Sequence, residues 1–213
     1  VKPYRIKEIY FTLQGEGANA GRAAVFIRFT GCNLWSGFEN DRATAICSFC
    51  DTDFVGIDGP GGGVFENSRS VAMAAATLWP AFEASSTPLV VCTGGEPLLQ
   101  LDSALIDDLH AVGFEIAVES NGTRRCPDNI DWICVSPKAG AELTQTTGDE
   151  LKLVFPQQGA EPDRFASLDF DCFFLQPMDN ADYQENVRRT VRYCLEHPQW
   201  RLSLQTHKII GIP

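Results

Sequence analysis

Short runs of adjacent apolar residues alternate along the chain with stretches whose apolar positions recur every three or four residues. The runs fall at 24–29, 89–92, 114–118, 132–135, 151–155, 172–175 and 202–204 and are rich in β-branched side chains. Nearly continuous runs of this kind predict strands buried on both faces, as in parallel sheets. A further strand is expected at an edge, over 6–13. Between the runs, Leu101, Leu105, Leu109 and Val112 share one helical face that stops at Gly113, a residue suited to closing a helix. Tyr183, Val187, Val191 and Cys194 repeat that spacing, with Asn180 as the expected N-cap, Asp182 in the first turn and Arg192 near the end. Each charge complements the nearer pole of the helix dipole. A third helix is expected over 70–78, ending before Pro80.

Strand and helix in alternation imply right-handed crossover units and a parallel sheet. The strands are too few to close an eight-fold barrel of ~250 residues, so the expected fold is α/β, an incomplete, open (β/α) barrel of about six parallel strands. Such a barrel binds its ligand at the C-terminal ends of the strands. With 213 residues, 44% of them hydrophobic, the chain suits one domain over 1–213. The glycine-rich stretch 56–63 reads as a flexible surface loop.

Charge narrows the partners. The 17 basic and 28 acidic residues leave a net charge of -11, which repels phosphate backbones and disfavours nucleic acid and anionic membrane. A small-molecule substrate fits better. No run approaches the ~18 to 20 apolar residues of a membrane span, and the first residues lack the apolar stretch of a secretion signal, so a soluble, cytoplasmic protein is expected.

The 8 cysteines would form disulfides only in an oxidising compartment, usually in a small domain short of core. Reduced thiols or metal ligands fit this chain better. Cys47 and Cys50 make a C-x-x-C pair, and Cys32 stands fourteen intervening residues upstream, just after a predicted strand. Alone, the pair is equally a redox dithiol, half a zinc site or packing. A closed zinc site wants four ligands, and His110, His197 and His207 are all distant in sequence. Three thiolates on a four-iron cluster leave one iron open, as substrate activation requires. Where another predicted strand ends, Cys92-Thr93-Gly94-Gly95-Glu96-Pro97 is either an ordinary glycine turn or a place for a ligand to approach backbone closely. Cys92, Cys134 and Cys172 in apolar strands, and Cys194 on a helix's apolar face, act as small hydrophobes. Cys126, in the loop Arg124-Arg125-Cys126-Pro127, reads as an exposed thiol.

The cysteine trio followed by Gly-Gly-Glu-Pro resembles the radical SAM superfamily, which cleaves S-adenosyl-L-methionine (SAM) reductively. The long first interval departs from the usual spacing and is similar to one family, the 7-carboxy-7-deazaguanine synthases, some of which carry an insertion there. Other stretches look like the same family: Thr12-Leu13-Gln14-Gly15-Glu16-Gly17, Arg28, Gly31-Cys32-Asn33-Leu34 and Cys50-Asp51-Thr52. So do Glu119-Ser120-Asn121-Gly122-Thr123, Ser136-Pro137-Lys138, Gln176-Pro177-Met178 and Gln205-Thr206-His207-Lys208. The motifs stand in matching order over essentially the whole chain.

The resemblance implies a modified radical SAM core and a lyase that converts 6-carboxy-5,6,7,8-tetrahydropterin to 7-carboxy-7-deazaguanine with loss of ammonia, towards queuosine and other deazapurines. It implies a 4Fe-4S cluster on Cys32, Cys47 and Cys50, SAM as a true cofactor, Mg2+, a flavodoxin-like reductant and a homodimer. Gly95 would bind the methionine end of SAM, with Glu96 supporting the turn, and Phe49 would contact adenine. Glu119, Ser136, Pro137 and Lys138, with Gln176, Pro177, Met178 and Asp179, would hold the ribose and adenine. Leu13, Gln14, Gly15 and Glu16 would read the pterin edge, Arg28 its carboxylate, with polar contacts from Thr93 and His207. The carboxylate of Pro213 would meet the substrate's amino group if the chain ends there naturally. Thr52 would ligate magnesium, supported by Asp51. Without the resemblance, Arg28, Glu16 and Lys138 read as solvated charges and Thr52 as a cap.

Overall fold

The computed structural model describes residues 2–80 and 87–213. Among these residues nine strands form one sheet: β1 (Tyr4–Leu13), β2 (Ala23–Phe29), β3 (Gly63–Phe65), β4 (Leu89–Gly94), β5 (Glu115–Ser120), β6 (Trp132–Val135), β7 (Thr147–Phe155), β8 (Asp169–Pro177) and β9 (Trp200–Leu202). Their order across the sheet is β3-β1-β2-β4-β5-β6-β7-β8-β9. From β2 onward all neighbours run parallel, seven strands in all, while β1 is antiparallel to β2 and β3. Among the described residues β3 and β9 remain the edges, each three residues long, so the barrel is open. The parallel strands number slightly more than expected because the short β9 aligns beside β8.

The described residues also form four α-helices: α1 (Ser68–Leu78), α2 (Ser103–Ala111), α3 (Tyr183–Glu196) and α4 (Thr206–Ile210). Asn67 caps α1 by accepting from the Ser70 amide, and Asp102 caps α2 by accepting from Leu105. Asn180 is not the N-cap of α3, which starts after Asp182. Its side-chain oxygen instead accepts from the Asp182 amide at 2.9 Å and from Asn186 at 3.0 Å, tying down the turn before the helix. Among the described residues no helix is long and apolar enough to cross a membrane.

Alternate residues on each strand face opposite ways, and the two faces differ. One face carries Val25, Ile27, Val90, Cys92, Ile116 and Val118, packed against Val71, Leu105 and Leu109 of the first two helices. Leu151, Leu153 and Leu175 continue it, with Trp200 and part of α3. The other face begins with a small apolar floor of Ala24, Leu89, Val91 and Ala117. Further along this second face, at the C-terminal strand ends, Arg28, Thr93, Glu119 and Lys152 replace the apolar residues.

Three further expectations need correction. The strand expected at an edge, β1, lies inside the sheet because β3 pairs with its outer side. The stretch 56–63 is no free loop, because the Gly59 amide donates to Lys7 at 3.0 Å, the Ile9 amide to Pro60 at 2.7 Å, and Gly63 opens β3. Cys126 is half-buried against the main core, and burial pushes its thiol up to about 12.

Candidate active site

A cavity of about 390 Å³ opens at the C-terminal strand ends, where Arg28, Thr93, Glu119, Lys152 and Gln176 project from five different strands. One wall holds Cys32, Cys47 and Cys50, all free thiols. The residues between Cys32 and Cys47 fold back on themselves. Arg42, in a short turn of 3-10 helix, donates to the carbonyls of Ser48 and Cys50, each at 3.0 Å, and its guanidinium lies 4.0 Å from the centre of the Trp35 ring. The conformation of the C-x-x-C segment is thus gripped from behind. Burial raises the Cys32 thiol, while a hydrogen bond between the other two raises Cys47 and lowers Cys50.

Among the described residues, no three His, Cys, Asp or Glu side chains are grouped to hold a single metal ion. Three free thiols on one wall are a soft donor set that fits an iron-sulfur cluster, in which each thiolate takes its own iron.

Behind β4, the glycine turn packs against the loop that carries Cys32. A Cβ on Gly95 would sit 2.1 Å from the Gly31 carbonyl oxygen, so only glycine fits. Glu96 does not reach the cavity. Fully buried, it accepts from the amides of Leu98 (3.0 Å) and Asn121 (2.8 Å) and from the Ser120 hydroxyl (3.0 Å), stapling the turn to the end of β5; burial raises its carboxyl. Asn121 in turn donates to Asn33 at 3.0 Å. Three loops therefore meet as one unit.

Elsewhere on the lining, Arg28 is held by Glu8 at 2.7 Å and by the Tyr10 hydroxyl at 2.9 Å. Lys152 lies 2.9 Å from Glu16 and 2.8 Å from Glu119, and Gln14 donates to Glu119 at 3.2 Å. Burial alone would raise the Glu16 carboxyl, but the Lys152 ammonium, with help from His207, takes it below its usual value. Lys138 donates to the Ser136 carbonyl (2.7 Å) and hydroxyl (2.6 Å).

The last helix crosses this mouth. Thr206 donates through its amide and hydroxyl to Gly15, at 3.0 and 2.8 Å, and a Cβ on Gly15 would lie 2.2 Å from Nδ1 of His207. Burial lowers the His207 pKa. Lys208 bridges Asp51 at 2.6 Å and Asp179 at 2.5 Å.

The residues singled out in the sequence gather on this one cavity, including Leu13, Phe49, Thr52, Thr93, Pro177, Met178 and Pro213. The exceptions are Glu96, which supports from behind, and Pro137, which faces a second cavity of about 210 Å³ shared with Lys138. Sequence reasoning missed Lys152, Tyr10, Trp35 and Arg42. Lys152 left a signal, a lone charge inside the apolar run 151–155.

An open α/β half-barrel with free thiols, a glycine turn and ion-paired charges around one mouth defines an enzyme for a small polar substrate. No family model matches the chain. It is 61% identical to the 7-carboxy-7-deazaguanine synthase of Caulobacter vibrioides, over 99% of both chains. Identity is 60% to the enzyme of that name from Bordetella pertussis, again over 99% of both, and 41% to that of Bacteroides thetaiotaomicron, over 98% of both. Among solved structures, QueE from Escherichia coli superposes with a TM-score of 0.70 at 26% identity, covering 95% of this chain and 93% of the other. The chain belongs to the 7-carboxy-7-deazaguanine synthase family.

Proposed function

We propose that this chain is a radical SAM lyase that converts 6-carboxy-5,6,7,8-tetrahydropterin to 7-carboxy-7-deazaguanine with loss of ammonia, a step in making queuosine precursors. The observation that carries the reading is the meeting of three free thiols, the Gly94-Gly95 turn and the Arg28 and Glu16 charges on one cavity. Residues 1–213 act in it as one domain.

When bound, a 4Fe-4S cluster and SAM supply the carbon radical that opens an otherwise inaccessible ring contraction. Cys32, Cys47 and Cys50 would hold the cluster. The backbone of Gly95, close to Cys32, would take the methionine end of SAM, with Phe49, Ser136, Lys138 and the segment from Gln176 to Asp179 around its nucleoside. Glu119 would accept from the ribose. Arg28, already oriented by Glu8 and Tyr10, presents its fork to the substrate carboxylate. Gln14 and the ionised Glu16 accept from the N–H edge of the pterin, while Thr93, His207 and Pro213 border the same side. The Thr52 hydroxyl, with the substrate carboxylate, offers the hard oxygen donors that suit Mg2+, and Asp51 stands beside it. Electrons would come from a flavodoxin-like donor, and the working form would be a cytoplasmic homodimer.

The test is to reconstitute the protein anaerobically, reduce it, and add SAM, magnesium and the carboxytetrahydropterin. A brown protein with broad absorbance near ~400 nm and about four irons per chain, forming the deazapurine, is expected. One colourless zinc per chain, or no product, overturns the reading.

A further inference from the structure

Lys152 has no role in the reading above, yet it is the most enclosed charge on the cavity wall, with its side chain 4% exposed. Its Nζ lies 2.9 Å from Oε2 of Glu16 and 2.8 Å from Oε2 of Glu119. The remaining oxygen of Glu119 accepts from Gln14 Nε2 at 3.2 Å, and Gln14 Oε1 accepts from the Glu16 amide at 3.2 Å. These four bonds close a ring. It joins the turn after β1 to β5 and β7.

Gln14 and Glu16 stand on the side assigned to the pterin, and Glu119 on the side assigned to SAM. We propose that Lys152 is a positioning residue that couples the two, so that filling either side orients the carboxylate that receives the other ligand. The proposal rests on the functional reading above and deepens it.

A buried ammonium without partners would shed its proton, and two facing carboxylates without a cation would repel. Each member therefore depends on the others. The groups facing the ring are Glu150 and Cys134, both buried, with His207 on the Glu16 side. Among the described residues Lys152 pairs with Glu16 and Glu119 and not with Glu150, whose Oε1 has no partner and whose carboxyl is raised by burial, so the counter-ions of the lysine are the two ring carboxylates. The ring then carries one positive and two negative charges. The surplus negative charge faces the cavity, where an N–H-bearing heterocycle edge would donate to it.

The test uses holoenzyme with the cluster oxidised, so that SAM and the carboxytetrahydropterin bind without reacting. In the wild type each ligand should tighten the other by the same factor, about tenfold, because coupling is reciprocal. In Lys152→Met that factor should fall to about one, and the pterin KM in the reduced assay should rise at least about tenfold. That KM should recover substantially in Lys152→Arg, which returns a cation between the two carboxylates. A purely structural loss would not be rescued by charge in this way. Should Lys152→Met fail to fold, Glu119→Gln, which keeps the lysine, should also abolish the coupling. Unchanged coupling and an unchanged KM in the variants, or a raised KM that Lys152→Arg does not restore, beside an active wild type, overturn this proposal alone. A wild type that makes no deazapurine overturns the functional reading as well.

Discussion

Leu151 and Lys152 are neighbours in the chain, both almost completely buried, and they lie on opposite faces of β7. Leu151 and Leu153 pack under α3 with Trp200, whereas Lys152 and Val154 look into the cavity. The same division runs along β2, where Ile27 joins the core and Arg28 the cavity, and along β4 with Cys92 and Thr93. One face of the sheet supplies cohesion and the other supplies chemistry. Because successive side chains alternate, a single strand serves both without compromise.

Substitutions on the two faces should therefore separate activity from stability. The largest effect is expected at the cavity: Cys47→Ala should abolish both cluster and turnover, read as lost absorbance near ~400 nm and no product. Retained activity would remove the cysteine trio from the mechanism. On the opposite face, Leu153→Ala should lower unfolding free energy by about 2–5 kcal/mol while the purified variant keeps its cluster spectrum and turnover at low temperature. If denaturant melts show no loss, the packing side of the comparison is wrong. Arg28→Lys keeps the charge but loses the planar fork, so the KM for the carboxylated substrate should rise about tenfold with little change in melting temperature. An unchanged KM would free Arg28 from substrate binding.

The smallest effect is one of pH. Glu16 is held below its ordinary value, so its contribution to stability is complete above 4.5 and is lost as pH falls through the depressed value. Lys152 is raised, so its contribution is complete below 10.5 and is lost only as pH rises beyond that, through its higher folded value. Melting temperature should accordingly show a plateau between these limits with an acid shoulder. Glu16→Gln should flatten the shoulder, and a shoulder that survives would assign it to other carboxylates.

Much of this was legible beforehand. The runs that predicted strands became β2 and β4 to β9, within a few residues at each end, because short apolar, β-branched runs fit strands buried on both faces of a sheet. The cavity residues were legible through motifs, not through physics, since a lone Glu16 or Arg28 is indistinguishable from a surface charge. Lys152 was hidden for the opposite reason. Its partners Glu16 and Glu119 are far away in sequence, so the residues around Lys152 in the chain do not show that it is the hub of a ring. Arg42 left no signal at all, because its contacts with Trp35 and two carbonyls exist only once the long interval folds back. The stretch 56–63 misled because glycines that permit close packing against β1 have the same composition as glycines that confer mobility. Asn180 was displaced by two residues, a typical uncertainty at helix starts.

The short β3 and β9 have a consequence for assembly. An unclosed barrel leaves backbone donors and acceptors along two margins, and long margins recruit strands from other molecules into fibrillar stacks. Here each margin spans only three residues, and exposed Arg201 sits in the middle of β9. Little template is therefore on offer, and the architecture can stay ajar for its ligands without inviting self-association through the sheet.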